Sequence, residues 1–300
     1  MNILLFGKGG QLGWELQRSL APLGELTALD VDSREHCGDL SNLDGLRQTI
    51  RTLCPDIIVN AAAHTAVDKA ESEPDLAHLL NATAPGLMAE EAQRRKAWLV
   101  HYSTDYVFDG SGQRPWREDD PAQPLNVYGR SKLAGEQAIR ASACQHLILR
   151  TSWVYAARGN NFARTILRLA QEKEQLSVIA DQIGAPTGAD LLADITAHAL
   201  SMALRNPALG GLYHAVAAGE TSWHGYADLV IQFARSAGVS MRLGHDRILP
   251  VASCDYPQPA VRPRNSRMST EKLQAAFGLH LPPWQQGLIR MLTEIMGPHA

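Results

Sequence analysis

A short apolar run, Asn2-Ile3-Leu4-Leu5-Phe6, ends abruptly in Gly7-Lys8-Gly9-Gly10-Gln11-Leu12-Gly13. Leucine then recurs at Leu12, Leu16 and Leu20. The run reads as a buried parallel strand, and the leucine spacing as one face of a helix. Between them, Gly7, Gly10 and Gly13 have the spacing G-x-x-G-x-x-G. Glycine is needed where a chain turns sharply out of a strand and where backbone must approach a pyrophosphate closely. The helix that opens beside Gln11 presents free N–H groups and the positive end of its dipole to an anion. Strand, glycine turn and helix in that order predict a dinucleotide-binding βαβ unit.

The same alternation continues. Apolar runs at 25–29, 56–60, 97–102 and 146–150 predict further strands, and periodic segments at 42–53, 74–94 and about 125–141 predict helices. Strands alternating with helices imply an α/β fold with a doubly wound, Rossmann-like parallel sheet. Right-handed crossovers bring the carboxyl ends of its strands to one edge, where ligands bind. After Arg150 the pattern loosens: helices are expected at 161–172 and 189–205, with a strand at 176–180 between them. From Gly219 the chain is richer in Pro, Trp and Tyr. The expected organisation is a dinucleotide-binding domain over 1–150, joined by segments within about 160–215, and a smaller interleaved substrate lobe over about 151–300.

Composition removes several alternatives. The net charge of -3, with no basic block, argues against nucleic acid as a partner. No run is long enough for a membrane-spanning helix, and Met1-Asn2 leads straight into the first strand with no basic leader. Cys37, Cys54, Cys144 and Cys254 are scattered without metal or disulfide spacing, which fits a reducing cytoplasm.

Asp30 closes the second predicted strand, 23 residues after Gly7, where a carboxylate can accept from the ribose hydroxyls of NAD. Ser33 and Arg34 follow and can instead receive a 2′-phosphate, so NADH and NADPH both stay open. Asp39 and Leu40 are candidates beside the adenine, with helix capping near Ser41 and Asn42 as the competing role. Asn60-Ala61-Ala62-Ala63-His64-Thr65 places small residues at a strand end, where a flat cofactor can lie on backbone; His64 reads as an ordinary loop residue.

Two polar groupings remain. HYSTDYVFDG, residues 101–110, crowds Ser103, Thr104, Asp105 and Tyr106 at the end of the fourth predicted strand. Tyr128 and Lys132 stand at i and i+4, on one helical face. Ser131, Ala134, Ala138 and Ala141 form a separate small-residue stripe expected to pack on the sheet. A free tyrosine has a pKa of about 10. A neighbouring ammonium lowers it toward the working range, which suits proton donation to a carbonyl that is receiving hydride.

Glycine loop, hydroxyl cluster and Y-x-x-x-K together resemble the extended branch of the short-chain dehydrogenases/reductases. More narrowly, FGKGGQLG, NAAAHTAVDKAE, STDYVFDG, YGRSKLAGE, LRTSWVYAARGNNF, DQIGAPT and RPRNSRMST resemble, in order, segments of the dTDP-4-dehydrorhamnose reductase family. That resemblance implies reduction of the 4-keto group of a dTDP-4-keto-6-deoxysugar by NADH or NADPH, giving dTDP-L-rhamnose. It implies Thr104 as the hydroxyl on the keto oxygen, Tyr128 as general acid and Lys132 as its electrostatic partner and ribose anchor. It places Gly7, Gly10, Gln11 and Leu12 around the pyrophosphate. Asp30, Asp39 and Leu40 would meet the adenosine half, and Ala62, Ala63 and Thr65 the nicotinamide side. Val67, Thr104, Tyr106, Tyr128 and Trp153 would surround the sugar, and Arg262 would meet the diphosphate. The family also implies a homodimer with a non-catalytic Mg2+ at a subunit contact, for which Glu15 is the candidate ligand.

Two other functions compete. A nucleotide-sugar epimerase or dehydratase shares the fold, and Asp105 beside Thr104 makes dehydration conceivable. A regulatory subunit of methionine adenosyltransferase shares the fold as a binding partner, against which stands the intact Thr104, Tyr128 and Lys132 set.

Overall fold

The computed structural model describes residues 1–297. Five strands, β1 (Asn2–Phe6), β2 (Glu25–Leu29), β3 (Ile57–Asn60), β4 (Trp98–Thr104) and β5 (Gln145–Thr151), alternate with helices. The principal helices of this half are α1 (Gln11–Leu20), α2 (Leu43–Leu53), α3 (Val67–Ala70), α4 (Pro74–His78), α5 (Ala84–Arg95) and α6 (Val127–Ala141). The later half adds α7 (Phe162–Glu172), α8 (Ala189–Arg205), α9 (Trp223–Ser236), α10 (Glu271–Phe277) and α11 (Trp284–Met296). A late strand, Gly211–His214, adds to β5 and was not anticipated from the sequence. Across the sheet the order is Gly211–His214, β5, β4, β3, β1, β2, and every pairing is parallel. The order reverses beside β1, which leaves a crevice outside its carboxyl end.

Both faces of the sheet are covered. Ile3, Leu5, Val59, Val100, Leu147 and Leu149 pack with Leu16 and Leu20 of α1, with Leu192 and Ile195 of α8 and with Leu273 and Phe277 of α10. Leu4, Phe6, Ile58, Leu99 and Ile148 point the other way, toward Leu46, Ile50, Met88 and Ile139. The alternation of odd and even positions is the period-two geometry of a strand buried on both sides. A third apolar cluster joins Tyr155, Ile166, Val178, Tyr226, Trp284 and Leu288, with α7, α9 and α11 around it.

Three local expectations need correction. The fourth strand does not end at Tyr102; Ser103 and Thr104 pair with Arg150 and Thr151 and are buried. Polar side chains are carried to the edge inside a regular ladder, which the loss of apolar residues had hidden. The predicted long helix from 74 is interrupted by a π-helical turn at Leu79–Thr83. Its Asn81 is fully buried, donating to Ser131 Oγ at 2.9 Å and to the His64 carbonyl at 3.0 Å. Finally, the small-residue stripe of α6 is not one packed face: Ser131 is buried against Asn81, Ala138 faces Gly86 of α5 and Ala141 is exposed, while the buried side of α6 is Gly129, Ser131, Lys132, Gly135, Glu136 and Ile139.

Candidate active site

The glycine loop is shaped by steric necessity. Gly7 has φ +88°, and a Cβ there would stand 2.7 Å from the Ala62 nitrogen. A Cβ on Gly13 would fall 1.8 Å from the Gly7 carbonyl oxygen, so only hydrogen lets α1 start against β1. Gly10 is the N-cap of α1, and no side chain caps it. The first turn therefore offers its N–H groups to an anion, which fits a dinucleotide pyrophosphate. Gln11 begins that turn, its Oε1 accepting from Asn161 Nδ2 at 3.0 Å, and Leu12 packs inward. The Asp30 carboxylate accepts from the Gly9 N–H at 2.8 Å, which ties the end of β2 to the loop.

The remaining cofactor-side candidates divide. Ala62 is half-buried beside Gly7, Ala63 is half-buried after it, and Thr65 is exposed. Asp39 accepts from both the N–H and the hydroxyl of Ser41, at 2.8 and 2.7 Å, and Asn42 caps α2 by accepting from the Gly45 N–H. The capping role foreseen near here belongs to Asn42. Leu40 is 5% exposed and packs with Phe6 and Leu29.

At the carboxyl end of β4, Thr104 Oγ1 donates to Asp105 Oδ1 at 3.1 Å and accepts from the Tyr106 N–H at 3.2 Å. Asn126 caps α6 by accepting from the Gly129 N–H, and so fixes the entry of the helix that carries Tyr128. The Tyr128 hydroxyl is hydrogen-bonded to Thr104. Its ring meets Tyr106 edge-on at 5.7 Å. Burial pushes the Tyr128 hydroxyl up to about 12, with the Thr104 hydrogen bond acting against it. The direction is opposite to that expected from an adjacent lysine.

The reason lies in where Lys132 points. The side chain is 3% exposed, and Nζ donates to the Tyr102 carbonyl and lies 3.4 Å from His101 Nε2. Burial lowers its ammonium to about 8. His101 is fully buried and is met on its other nitrogen by Asn60, at 3.2 Å. Beneath, Arg150 makes a bidentate pair with Glu136 at 2.8 and 2.6 Å. His101, Asn60, Arg150 and Glu136 lie within the quoted segments but drew no role there, and Asn81 lies outside them. Each is a polar residue inside an apolar run or helix, and its partner comes from a distant element.

The sugar-side candidates converge more loosely. Val67 opens α3, one residue before Asp68. Trp153 takes a left-handed backbone, φ +49°, and stacks on Trp223 with centroids 3.7 Å apart. Trp223 is held in turn by donating to Gln182 Oε1 at 3.1 Å. Arg262 makes a two-pronged contact with Asp68, at 3.0 and 2.7 Å, which holds that carboxyl below its ordinary range. The guanidinium is thus already committed to a carboxylate. Asn126 Nδ2 also donates to the Val261 carbonyl at 2.7 Å, so the late proline-rich segment is tied across the site.

Glu15 stands apart from this edge. Its carboxylate accepts from Arg18 at 3.4 Å, and Asp190, which lines the same 530 Å³ cavity, pairs with Arg290 at 3.2 Å. Among the described residues no group of three or more His, Cys, Asp or Glu side chains comes together to hold a metal. The described residues alone do not supply the expected Mg2+ set, and no chemical step is assigned to a metal.

Comparison with known proteins fits this geometry. A dTDP-4-dehydrorhamnose reductase of Salmonella typhimurium strain LT2 is 62% identical over 295 residues, 98% of each chain. The crystal structure of a dTDP-4-dehydrorhamnose reductase from Bacillus anthracis str. Ames, in complex with NADP, superposes with a TM-score of 0.87 at 35% identity, covering 98% of this chain and 99% of that one. A UDP-glucose 4-epimerase from Thermus thermophilus has a TM-score of 0.78 at 20% identity, covering 100% of both chains, and shares the fold alone. The family model described as RmlD substrate binding domain matches residues 1–296, and the chain belongs to that family.

Proposed function

We propose that this enzyme reduces the 4-keto group of dTDP-4-dehydrorhamnose to give dTDP-L-rhamnose, using NADH or NADPH. What carries the reading is that Thr104 and Tyr128 are hydrogen-bonded together at the carboxyl edge of the sheet, on a chain matched almost end to end by reductases of that name. When bound, the reduced nicotinamide supplies hydride to the sugar carbon. Tyr128 gives its hydroxyl proton to the keto oxygen, and a phenol raised to about 12 stays protonated at neutral pH, ready to donate. Thr104 orients the same oxygen. Lys132, fixed by the Tyr102 carbonyl, holds positive charge beneath the reacting pair and reaches the nicotinamide ribose. The glycine loop and the N-terminus of α1 hold the pyrophosphate, and Asp30 faces the adenosine ribose.

Trp153, backed by Trp223, gives the apolar wall for a C6 methyl group, with Val67 and Tyr106 beside it. Arg262 serves the diphosphate by moving from Asp68 or by sharing its charge with it. The 1–150 region would carry the cofactor and the later lobe the sugar nucleotide, in a cytoplasmic homodimer. Among the described residues no helix is long and apolar enough to cross a membrane. Incubation with the 4-keto sugar and NADH or NADPH tests the activity: stoichiometric loss of reduced cofactor and formation of the 4-hydroxy sugar are expected. A 4-epimerised product with no net cofactor loss would replace this reading by an epimerase.

A further inference from the structure

The Thr104 hydroxyl has one proton and several neighbours that want it. The proton is donated to Asp105 Oδ1 at 3.1 Å, while the oxygen accepts from the Tyr106 N–H at 3.2 Å. A hydroxyl so arranged has nothing left to donate to a keto oxygen placed between Thr104 and Tyr128. Asp105 itself is 2% exposed, and its Oδ2 has no hydrogen-bond partner within 3.5 Å among the described residues, although the Ser266 hydroxyl faces the carboxyl. Neither does it form an ion pair among them. An ionised carboxylate with an unpaired buried oxygen is expensive to maintain, whereas a carboxylic acid has a proton to place.

We propose that Asp105 is a positioning residue that acts as a neutral carboxylic acid, donating to Thr104 Oγ1 so that the Thr104 proton turns to the keto oxygen. This rests on the reading of Thr104 and Tyr128 as partners of that oxygen. The count of protons and lone pairs then closes. Thr104 Oγ1 has two lone pairs, taken by the Asp105 O–H and the Tyr106 N–H. Its own proton and that of Tyr128 both reach the keto oxygen, which has two lone pairs to receive them. During reduction the Tyr128 proton is transferred to the new hydroxyl; Asp105 and Thr104 keep theirs. Asp105 thus touches neither sugar nor cofactor and acts through Thr104.

The surroundings favour the acid form. Burial raises the Asp105 carboxyl to about 6, against the pull of the Ser266 and Thr104 hydroxyls. The groups that face it are Thr104 and Tyr106 from its own segment, Tyr128 from α6 and Ser266 from the late segment. Both tyrosines are held neutral by burial, and among the cations nearest the site Lys132 is bound to the Tyr102 carbonyl and Arg262 to Asp68.

The active form is the protonated one, so the Asp105 contribution is present below about pH 6 and lost as pH rises through it. In Asp105→Asn the amide N–H donates to Thr104 at every pH. The test compares kcat/KM of this variant and the wild type from pH 5 to 8, with the 4-keto sugar and NADH. The variant-to-wild-type ratio is expected to climb with pH, approaching about tenfold per unit between pH 7 and 8. Asp105→Leu, which cannot donate, is expected to be slow throughout while still binding NADH. A ratio that is level with pH overturns the assignment. If Asp105→Asn does not fold, as judged by NADH binding, the infrared spectrum of the wild type decides. A carboxylic-acid band that titrates near pH 6 and shifts in Thr104→Val supports the proposal, and its absence overturns it. Thr104→Val and Tyr128→Phe separate the two readings. If both keep normal turnover, the underlying function has failed; if both lose it while the ratio stays level, only the Asp105 role has.

Discussion

The two sides of the crevice are built differently. The side proposed for the cofactor is made of backbone: a Cβ on Gly7 or Gly13 would fall less than 3 Å from neighbouring backbone, and no side chain caps the first turn of α1. The side proposed for the sugar is made of side chains gathered from far along the chain, with Trp153 on Trp223 and Arg262 on Asp68. On that proposal, backbone recognition serves what is constant among cofactors, the pyrophosphate. Side-chain recognition can change with the sugar while the sheet stays as it is. Between the two lies the Thr104–Tyr128–Lys132 set, fixed by β4 and α6.

The largest effect is expected at that seam. Tyr128→Phe should lower kcat by about a hundred- to ten-thousand-fold, because a general acid contributes on that scale. Fluorescence titration should show NADH binding unchanged; normal turnover would remove Tyr128 as the donor. On the backbone side, Gly13→Ala forces a Cβ onto the Gly7 carbonyl and must displace the start of α1. A loss of about a hundredfold in kcat/KM is expected, since misplacement by about 1 Å has that cost. Weakened NADH binding should account for it, and unchanged NADH affinity would contradict the loop geometry.

Trp223→Ala removes the ring that supports Trp153. Sugar KM should rise about three- to tenfold, the scale of one aromatic pair, with cofactor affinity intact. A matching loss of cofactor affinity would erase the distinction between the two sides. The smallest effect belongs to Asp68→Asn, which frees Arg262. The Asp68 side chain is 42% exposed, so the pair contributes only about 0.2–1 kcal/mol, and sugar KM should move by no more than about fivefold. A decrease in KM would show that Asp68 competes with the diphosphate for the guanidinium.

Much of the scaffold was readable along the chain because its signals are local. A strand buried on both faces is a continuous apolar run, and β1 and most of β3 are of that kind, with Leu147-Ile148-Leu149 at the centre of β5. The glycine loop was legible because Gly7 and Gly13, six residues apart after a strand, answer one steric demand. Tyr128 and Lys132 were legible as an i, i+4 pair, yet their relation was not. The pair shares a helical face, but Lys132 turns to the Tyr102 carbonyl on β4, and burial rather than the lysine governs Tyr128. The polar end of β4 was mistaken for a strand end because a buried hydroxyl reads like a loop residue until its ladder partners are known. The π turn at Leu79–Thr83 escaped for a similar reason: Asn81 is accommodated by Ser131 and His64, 50 and 17 residues away.

By itself, the sequence determined the parallel α/β sheet, its common carboxyl edge and the glycine turn after β1, since these follow from periodicity and from the steric uniqueness of glycine. Tertiary structure alone decided the states of those residues. That Arg262 meets a carboxylate, that Trp153 is braced by Trp223, and that Asp105 is enclosed with an unpaired oxygen are consequences of desolvation and of contacts between distant segments. Proton affinity and side-chain orientation depend on what surrounds a group in space, and that is set only when the chain has closed around it.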